Sequence, residues 1–151
     1  MHKVFGWFDG AVEPYNPGGH GGWGYVLEGE GGESVGSGYG YVPAAPDVTN
    51  NVLEYRAALE AVKAWHALPE AYGHGVLVLY GDSKLVVEQM RGAWRVNGGA
   101  YVATRKELVK YVADIGASVD WNWIPREENG RADELSKKAL SERGIRTTVR
   151  R

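Results

Sequence analysis

Residues 75 to 81, Gly-Val-Leu-Val-Leu-Tyr-Gly, are apolar on both faces of any strand they form, and Asp82 follows at once. A strand with two apolar faces belongs inside a parallel sheet covered by helices, which narrows the chain to an α/β architecture. A second apolar segment, Val4-Phe5-Gly6-Trp7-Phe8, also ends on an aspartate, Asp9. Ligands of open α/β sheets bind outside the carboxyl ends of the strands, near the point where strand order reverses. Two aspartates delivered there by two strands converge on one point. Taken singly, each is explained equally well by turn chemistry, because aspartate before a turn bonds its own backbone.

The other elements follow from periodicity and punctuation. Strands are predicted over 3–9, 22–29 and 33–42. A Pro/Gly/Asn loop over 10–21 and the turn Glu30-Gly31-Gly32 join them into an antiparallel meander. A helix is predicted over 51–68, with N-cap oxygens at Thr49, Asn50 and Asn51 and stops at Pro69 and Gly73. Ser83 is placed to cap a short helix ending at Met90, 91–99 reads as a loop, and 100–114 as another helix. Ser118–Ile124 alternates, with Val119, Trp121 and Trp123 on one face, and Pro125 ends that strand. The last helix covers 129–142 and a basic tail covers 144–151. The order βββ-α-β-α-α-β-α makes residues 1–143 one α/β domain: a five-stranded mixed sheet, three antiparallel strands then two parallel, with helices on its faces.

Two more acids stand where a surface charge does not belong. Glu54 shares a helical stripe with Ala58, Ala61 and Trp65, while Arg56, Glu60 and Lys63 point the other way. An inward carboxylate needs a partner or a shifted pKa. The plainer alternative is a rim position near the helix start, where an acid favours the helix dipole. Asp133 lies beside the stripe of Ala132, Leu135 and Ala139, with Asn129 four residues earlier on the same side. Its plainer alternative is again a first-turn acid. Jointly, Asp9, Glu54, Asp82 and Asp133 supply the hard oxygen ligands that suit Mg²⁺ or Mn²⁺. Four converging carboxylates fit two ions held close together, one activating a water and the other stabilising the leaving oxygen of an in-line phosphoryl transfer.

The absence of cysteine excludes a disulfide framework, thiolate metal sites and a cysteine nucleophile, and fits a reducing compartment. No apolar run is long enough to span a bilayer. The chain enters a strand within its first residues, so no signal peptide, no membrane partner and a cytoplasmic location are expected. A net charge of −2 argues against coating nucleic acid by bulk charge. Residues Arg126 to Arg151 hold eight basic against five acidic side chains, which a solvated helix and a frayed tail also explain.

Six motifs run along the chain in a set order: Phe8-Asp9-Gly10, Asn16-Pro17-Gly18-Gly19, Gly22-Trp23-Gly24-Tyr25, Thr49-Asn50-Asn51-Val52-Leu53-Glu54-Tyr55-Arg56-Ala57, Tyr80-Gly81-Asp82-Ser83 and Asn129-Gly130-Arg131-Ala132-Asp133-Glu134-Leu135. In order and spacing together they resemble ribonuclease H of type 1. The resemblance implies endonucleolytic cleavage of the RNA strand of RNA–DNA hybrids, leaving 5′-phosphate and 3′-hydroxyl ends. It implies two Mg²⁺ ions, with Mn²⁺ as a substitute, on Asp9, Glu54, Asp82 and Asp133. Asp9 would bridge both ions and Glu54 would sit nearest the ribose 2′-hydroxyl, the group that separates RNA from DNA. It also implies that Asn50 and Asn51 contact the hybrid in its minor groove, Asn16 touches the RNA strand and Thr49 grips a DNA-strand phosphate. Ser83, Arg126 and Asn129 complete the expected substrate contacts. Helix capping is the alternative for Asn50, Asn51 and Ser83, and turn formation the alternative for Asn16. No obligate protein partner is implied, and a monomer is expected.

The chain departs from the family pattern in three places. Trp123-Ile124-Pro125-Arg126-Glu127-Glu128-Asn129 holds no histidine where many bacterial members carry one before the last helix. Met90 to Gly99 runs straight into the next helix, so the basic protrusion of many relatives is absent and substrate binding is expected to be weaker and more salt-sensitive. Trp94, with Arg91 and Arg95, either clamps a strand by stacking or folds onto the core. Glu13-Pro14-Tyr15 lengthens the loop before Asn16. A DNA-directed nuclease or a non-catalytic nucleic-acid-binding module on the same fold are the competing readings.

Overall fold

The computed structural model describes residues 2–147, so Met1 and the end of the expected tail, Thr148 to Arg151, lie outside the described residues. The doubly apolar segment forms β4 (Val76–Gly81), held between two parallel neighbours, β1 (Lys3–Glu13) and β5 (Ser118–Trp123). Leu77, Val78 and Leu79 are buried, as a strand covered on both faces requires. Two antiparallel strands, β2 (His20–Glu28) and β3 (Ser34–Val42), extend the sheet on the other side of β1. The strand order is β3-β2-β1-β4-β5, the mixed sheet expected from the sequence.

Helices cover the two faces. On one face, α1 (Asn50–His66) lies across β1 and β2, with α3 (Lys84–Met90) and α4 (Val102–Ile115) packed beside it. On the other face, α5 (Gly130–Ser141) crosses β2, β1 and β3. A one-turn helix, α2 (Glu70–Gly73), and a 3₁₀ turn at Arg126–Glu128 occupy stretches expected as loop. The main core joins Val4, Phe8, Leu27, Leu59, Trp65 and Leu79 between the sheet and α1. Thr49 Oγ1 accepts from Val52 N at 3.2 Å and Ser83 Oγ from Val86 N at 3.3 Å, so both helices start on hydroxyl caps. Gly116, at φ 62°, ends α4.

The structure corrects the predicted end of β1. Its parallel pairing with β4 stops at Phe8 and Gly81, but its antiparallel pairing with β2 continues from Asp9 and Gly24 to Glu13 and His20. Asp9 is therefore an interior strand residue placed just past the end of the parallel pairing. Trp123, the last residue of β5, is 41 % exposed, whereas Trp121 two residues earlier is buried. Trp94 is 47 % exposed, which removes the option of a side chain folded onto the core. Other boundaries move by one or two residues where predicted and observed elements overlap.

Two glycines set how closely the helices approach. A Cβ on Gly10 would lie 2.6 Å from Glu54 N and 2.7 Å from Leu53 Cβ. One on Gly24 would lie 2.6 Å from Leu135 Cβ and 2.8 Å from Ser136 N. Only glycine lets α1 and α5 rest directly on neighbouring strands at these points. Gly10→Ala is expected to cost about 1–3 kcal/mol, because backbone rather than a flexible side chain must move. Urea unfolding of the variant measures this, and an unchanged midpoint would contradict the close contact of α1 with β1.

Candidate active site

The end of the β1–β4 pairing gathers three acids from three elements. Asp9 comes from β1, Asp82 follows β4, and Glu54 comes from the first turns of α1. One carboxylate oxygen from each lies within 4.8 Å of the others. Asp9 and Glu54 are buried and Asp82 is half-buried. The Gly10 amide donates to Glu54 Oε1 at 2.6 Å and to Asp9 Oδ1 at 3.0 Å, so one N–H serves both acids. The close approach that Gly10 permits is what brings Glu54 within reach of that amide.

Asp82 is held from two directions. Asn129 Nδ2 donates to Asp82 Oδ2 at 3.1 Å and to Phe8 O at 2.9 Å, tying the acid to β1. Trp123 Nε1 donates to the Asp82 carbonyl at 3.1 Å, and Lys84 Nζ lies 4.7 Å from the Trp123 ring centroid. Asn129 stands at the N-cap position of α5, so the start of that helix abuts the acids. Asp133 follows one turn later: its amide donates to Asn129 O at 3.0 Å, and its Oδ2 lies 3.3 Å from Lys137 Nζ. Asp133 is not within the three-acid group, which contains Asp9, Glu54 and Asp82 among the described residues.

The acids repel one another. Burial, then the Asp9 charge, a hydrogen bond with Asp9 and the Asp82 charge hold the Glu54 carboxyl well above its usual 4.5, and the Gly10 amide only partly offsets them. Glu54 Oε2 and Asn129 Oδ1 are buried with no donor among the described residues. A site with surplus oxygen acceptors and surplus negative charge is the donor set that a hard divalent cation takes. The residues present fit such an ion.

The remaining predicted contacts divide into three groups. Thr49 and Ser83 use their hydroxyls as helix caps. Asn16 Oδ1 accepts from Asn50 N at 3.1 Å, so despite its lengthened loop Asn16 sits against the start of α1 and satisfies an amide there. With those amides served by Thr49 and Asn16, Asn50 and Asn51 are exposed and free of the capping role. Arg126 is exposed in its 3₁₀ turn, whereas Asn129 is buried and its amide engaged with Phe8 and Asp82. Among the histidines, His20 Nδ1 lies 2.6 Å from Tyr41 Oη, His66 packs edge-on to Tyr111, and His74 is exposed. Sequence reasoning missed the Gly10 amide and Trp123 as parts of the site. The adjacency of Trp123 was legible only through strand register, since it pairs with Gly81 beside Asp82.

A protein-family profile described as "reverse transcriptase-like" matches residues 8–139. The ribonuclease HI of Halobacterium salinarum is 32 % identical over 148 residues, with 93 % of this chain and 65 % of that protein covered. The ribonuclease H of Francisella philomiragia is 30 % identical over 154 residues, with 93 % of each chain covered. The chain belongs to the ribonuclease H family. A crystal structure of LC11-RNase H1 in complex with an RNA/DNA hybrid superposes at a TM-score of 0.81, with 25 % identity, over 93 % of this chain and 98 % of that one. The chain thus spans about two thirds of the halobacterial ribonuclease HI and nearly all of the Francisella ribonuclease H.

A raised carboxyl pKa means the folded metal-free protein keeps a proton that the unfolded chain has released. Its stability therefore falls as pH rises from the ordinary glutamate range toward the raised value, by roughly 1.4 kcal/mol per pH unit in that interval. Glu54→Gln is expected to abolish this loss and to raise the melting temperature of the metal-free protein at neutral pH. Thermal melts of both proteins in EDTA between about pH 5 and pH 8 check it; parallel profiles would contradict the crowding of the acids.

Proposed function

We propose that the chain hydrolyses the RNA strand of RNA–DNA hybrids at the acid group of Asp9, Glu54 and Asp82, with Asp133 as the fourth acid at the start of α5. The observation that carries this reading is the gathering of three carboxylates within 4.8 Å around one backbone amide, in a chain of the ribonuclease H family. The cofactor is Mg²⁺, two ions, with Mn²⁺ as a substitute. When bound, divalent cations there supply an activated water and charge stabilisation at the leaving oxygen.

The chain's own residues do the rest. Asp9, rigid within a strand paired on its antiparallel side, fixes the centre of the site. Glu54 faces the ribose 2′-hydroxyl. Asn129 and Trp123 hold Asp82 in place from its side chain and its backbone. Asn50 and Asn51, exposed at the start of α1, read the minor groove, and Asn16 with Thr49 shapes that helix end against the two backbones. Ser83 and Arg126 flank the cleft. Residues 1–143 form the catalytic domain and 144–151 a basic tail. The chain is a cytoplasmic monomer of the subgroup that has neither the basic protrusion nor the loop histidine. No helix among the described residues is long and apolar enough to cross a membrane.

Cleavage of a labelled RNA–DNA hybrid in Mg²⁺ tests the reading, with RNA–RNA and DNA–DNA duplexes alongside. Hybrid-only cleavage, abolished by EDTA, is expected. Asp82→Asn should lower the rate by more than the roughly 10–100-fold that an outer partner of a metal ligand is worth. Intact binding without cleavage would favour the binding-module reading, and cleavage of the DNA duplex the DNA-nuclease reading. Asn129→Ala is expected to raise the Mg²⁺ concentration for half-maximal rate by about 10–100-fold at unchanged fold. Circular dichroism and a Mg²⁺ titration separate this from simple unfolding, and an unchanged Mg²⁺ dependence would remove Asn129 from the site.

A further inference from the structure

Of the chain's six asparagines, two are followed by glycine: Asn97-Gly98 and Asn129-Gly130. That dipeptide is a reactive pair as well as a turn signal. A glycine amide has no side chain beside it, so it can approach the Cγ of the preceding carboxamide. The reaction needs a carboxamide free to swing over its own backbone, a following N–H that is not tied in a hydrogen bond, and water. The fold withholds the first from one pair and leaves all three to the other.

Asn129 is 1 % exposed, and its Nδ2 donates to Phe8 O at 2.9 Å and to Asp82 Oδ2 at 3.1 Å. Its carboxamide is fixed toward β1 and cannot turn back onto the Gly130 amide. Asn97 lies in the loop between α3 and α4. Asn97 and Gly98 are both exposed, and among the described residues neither has a hydrogen-bond partner. Gly98 has φ 100°, and no atom lies within 4 Å of where its Cβ would be, so water reaches the pair. The flanks are pinned. Gln89 Nε2 donates to Arg95 O at 3.2 Å, Val96 packs against the main core, and Val102 N donates to Gly99 O at 3.2 Å. The slack is confined to Asn97 and Gly98, and no partner has to be given up for the two groups to meet.

We propose that Asn97 is a site of spontaneous deamidation. The Gly98 nitrogen gives its proton to solvent base and attacks Asn97 Cγ. The N–Cγ bond forms, the Cγ–Nδ2 bond breaks, and the leaving nitrogen takes a proton from water and departs as ammonia. Water then opens the succinimide ring at either carbonyl, giving aspartate or isoaspartate. One water is consumed and one ammonia released, with no change of oxidation state. From Gln89 to Lys106 the chain has four basic side chains and no acidic one, so the product places a carboxylate in a wholly basic stretch. The site shares no residue with the acid group and does not depend on the reading of that centre.

Incubation of the full chain in mildly alkaline buffer, followed by peptide mass spectrometry, tests the proposal, with a parallel sample in urea. In the native chain Asn97 converts to aspartate and isoaspartate, and Asn129 is slower by at least about 100-fold because it reacts only from an opened state. In urea the two convert at similar rates. The modified chain carries one more negative charge and runs later on an anion exchanger. Asn97→Gln, whose amide would have to close a less favoured six-membered ring, removes that late form and leaves the circular dichroism unchanged. The proposal is overturned if native Asn97 converts no faster than native Asn129, or if the late form persists in Asn97→Gln.

Discussion

The hydrogen bond from Gly10 N to Glu54 Oε1 joins the fold to the site. A helix standing off a sheet by an ordinary side-chain layer cannot place a glutamate against a strand amide. Here Gly10 removes that layer, α1 comes down onto β1, and the helix's inward stripe, three turns before Trp65, ends in an acid rather than another alanine. The same device operates on the opposite face, where Gly24 admits α5 and so sets where Asn129 and Asp133 begin. The sheet is therefore clasped at one end by two helices whose starting residues carry the chemistry.

Bringing three carboxylates together opposes folding in the absence of a cation, and the surroundings show how the chain withstands it. The Gly10 amide serves two acids at once, and Asn129 and Trp123 hold the third by its side chain and its carbonyl. These are neutral donors. Lys137 is set against Asp133, outside the three-acid group, so the cationic partner of a fixed side chain is kept away from where a metal would sit. Neutral donors orient the ligands without cancelling the field that attracts a divalent ion.

Much of this was legible in the chain. The doubly apolar β4, the meander before it and the inward stripe of Glu54, Ala58, Ala61 and Trp65 each depend on local periodicity, and local periodicity is what a sequence displays. The end of β1 was not legible, because pairing of residues 10–13 with β2 is a non-local fact and their composition reads as loop. The roles of Asn129 and Trp123 were hidden for the same reason. Their partners, Asp82 and Phe8, lie 41 to 121 residues away, and only the register of the strands brings them together. For Trp94 the sequence left stacking and burial both open, because the anchoring of its loop falls to Gln89, whose Nε2 donates to the Arg95 carbonyl.

The position of Asp9 inside β1 has an evolutionary corollary. A ligand carried at the tip of a loop drifts whenever that loop gains or loses residues. Asp9 is flanked on both sides by residues paired with β2, and the strand continues four residues beyond it before the chain turns at Pro14. Insertions between Pro14 and Gly19 are absorbed past that paired stretch, so the loop is free to diversify while the central acid keeps its address.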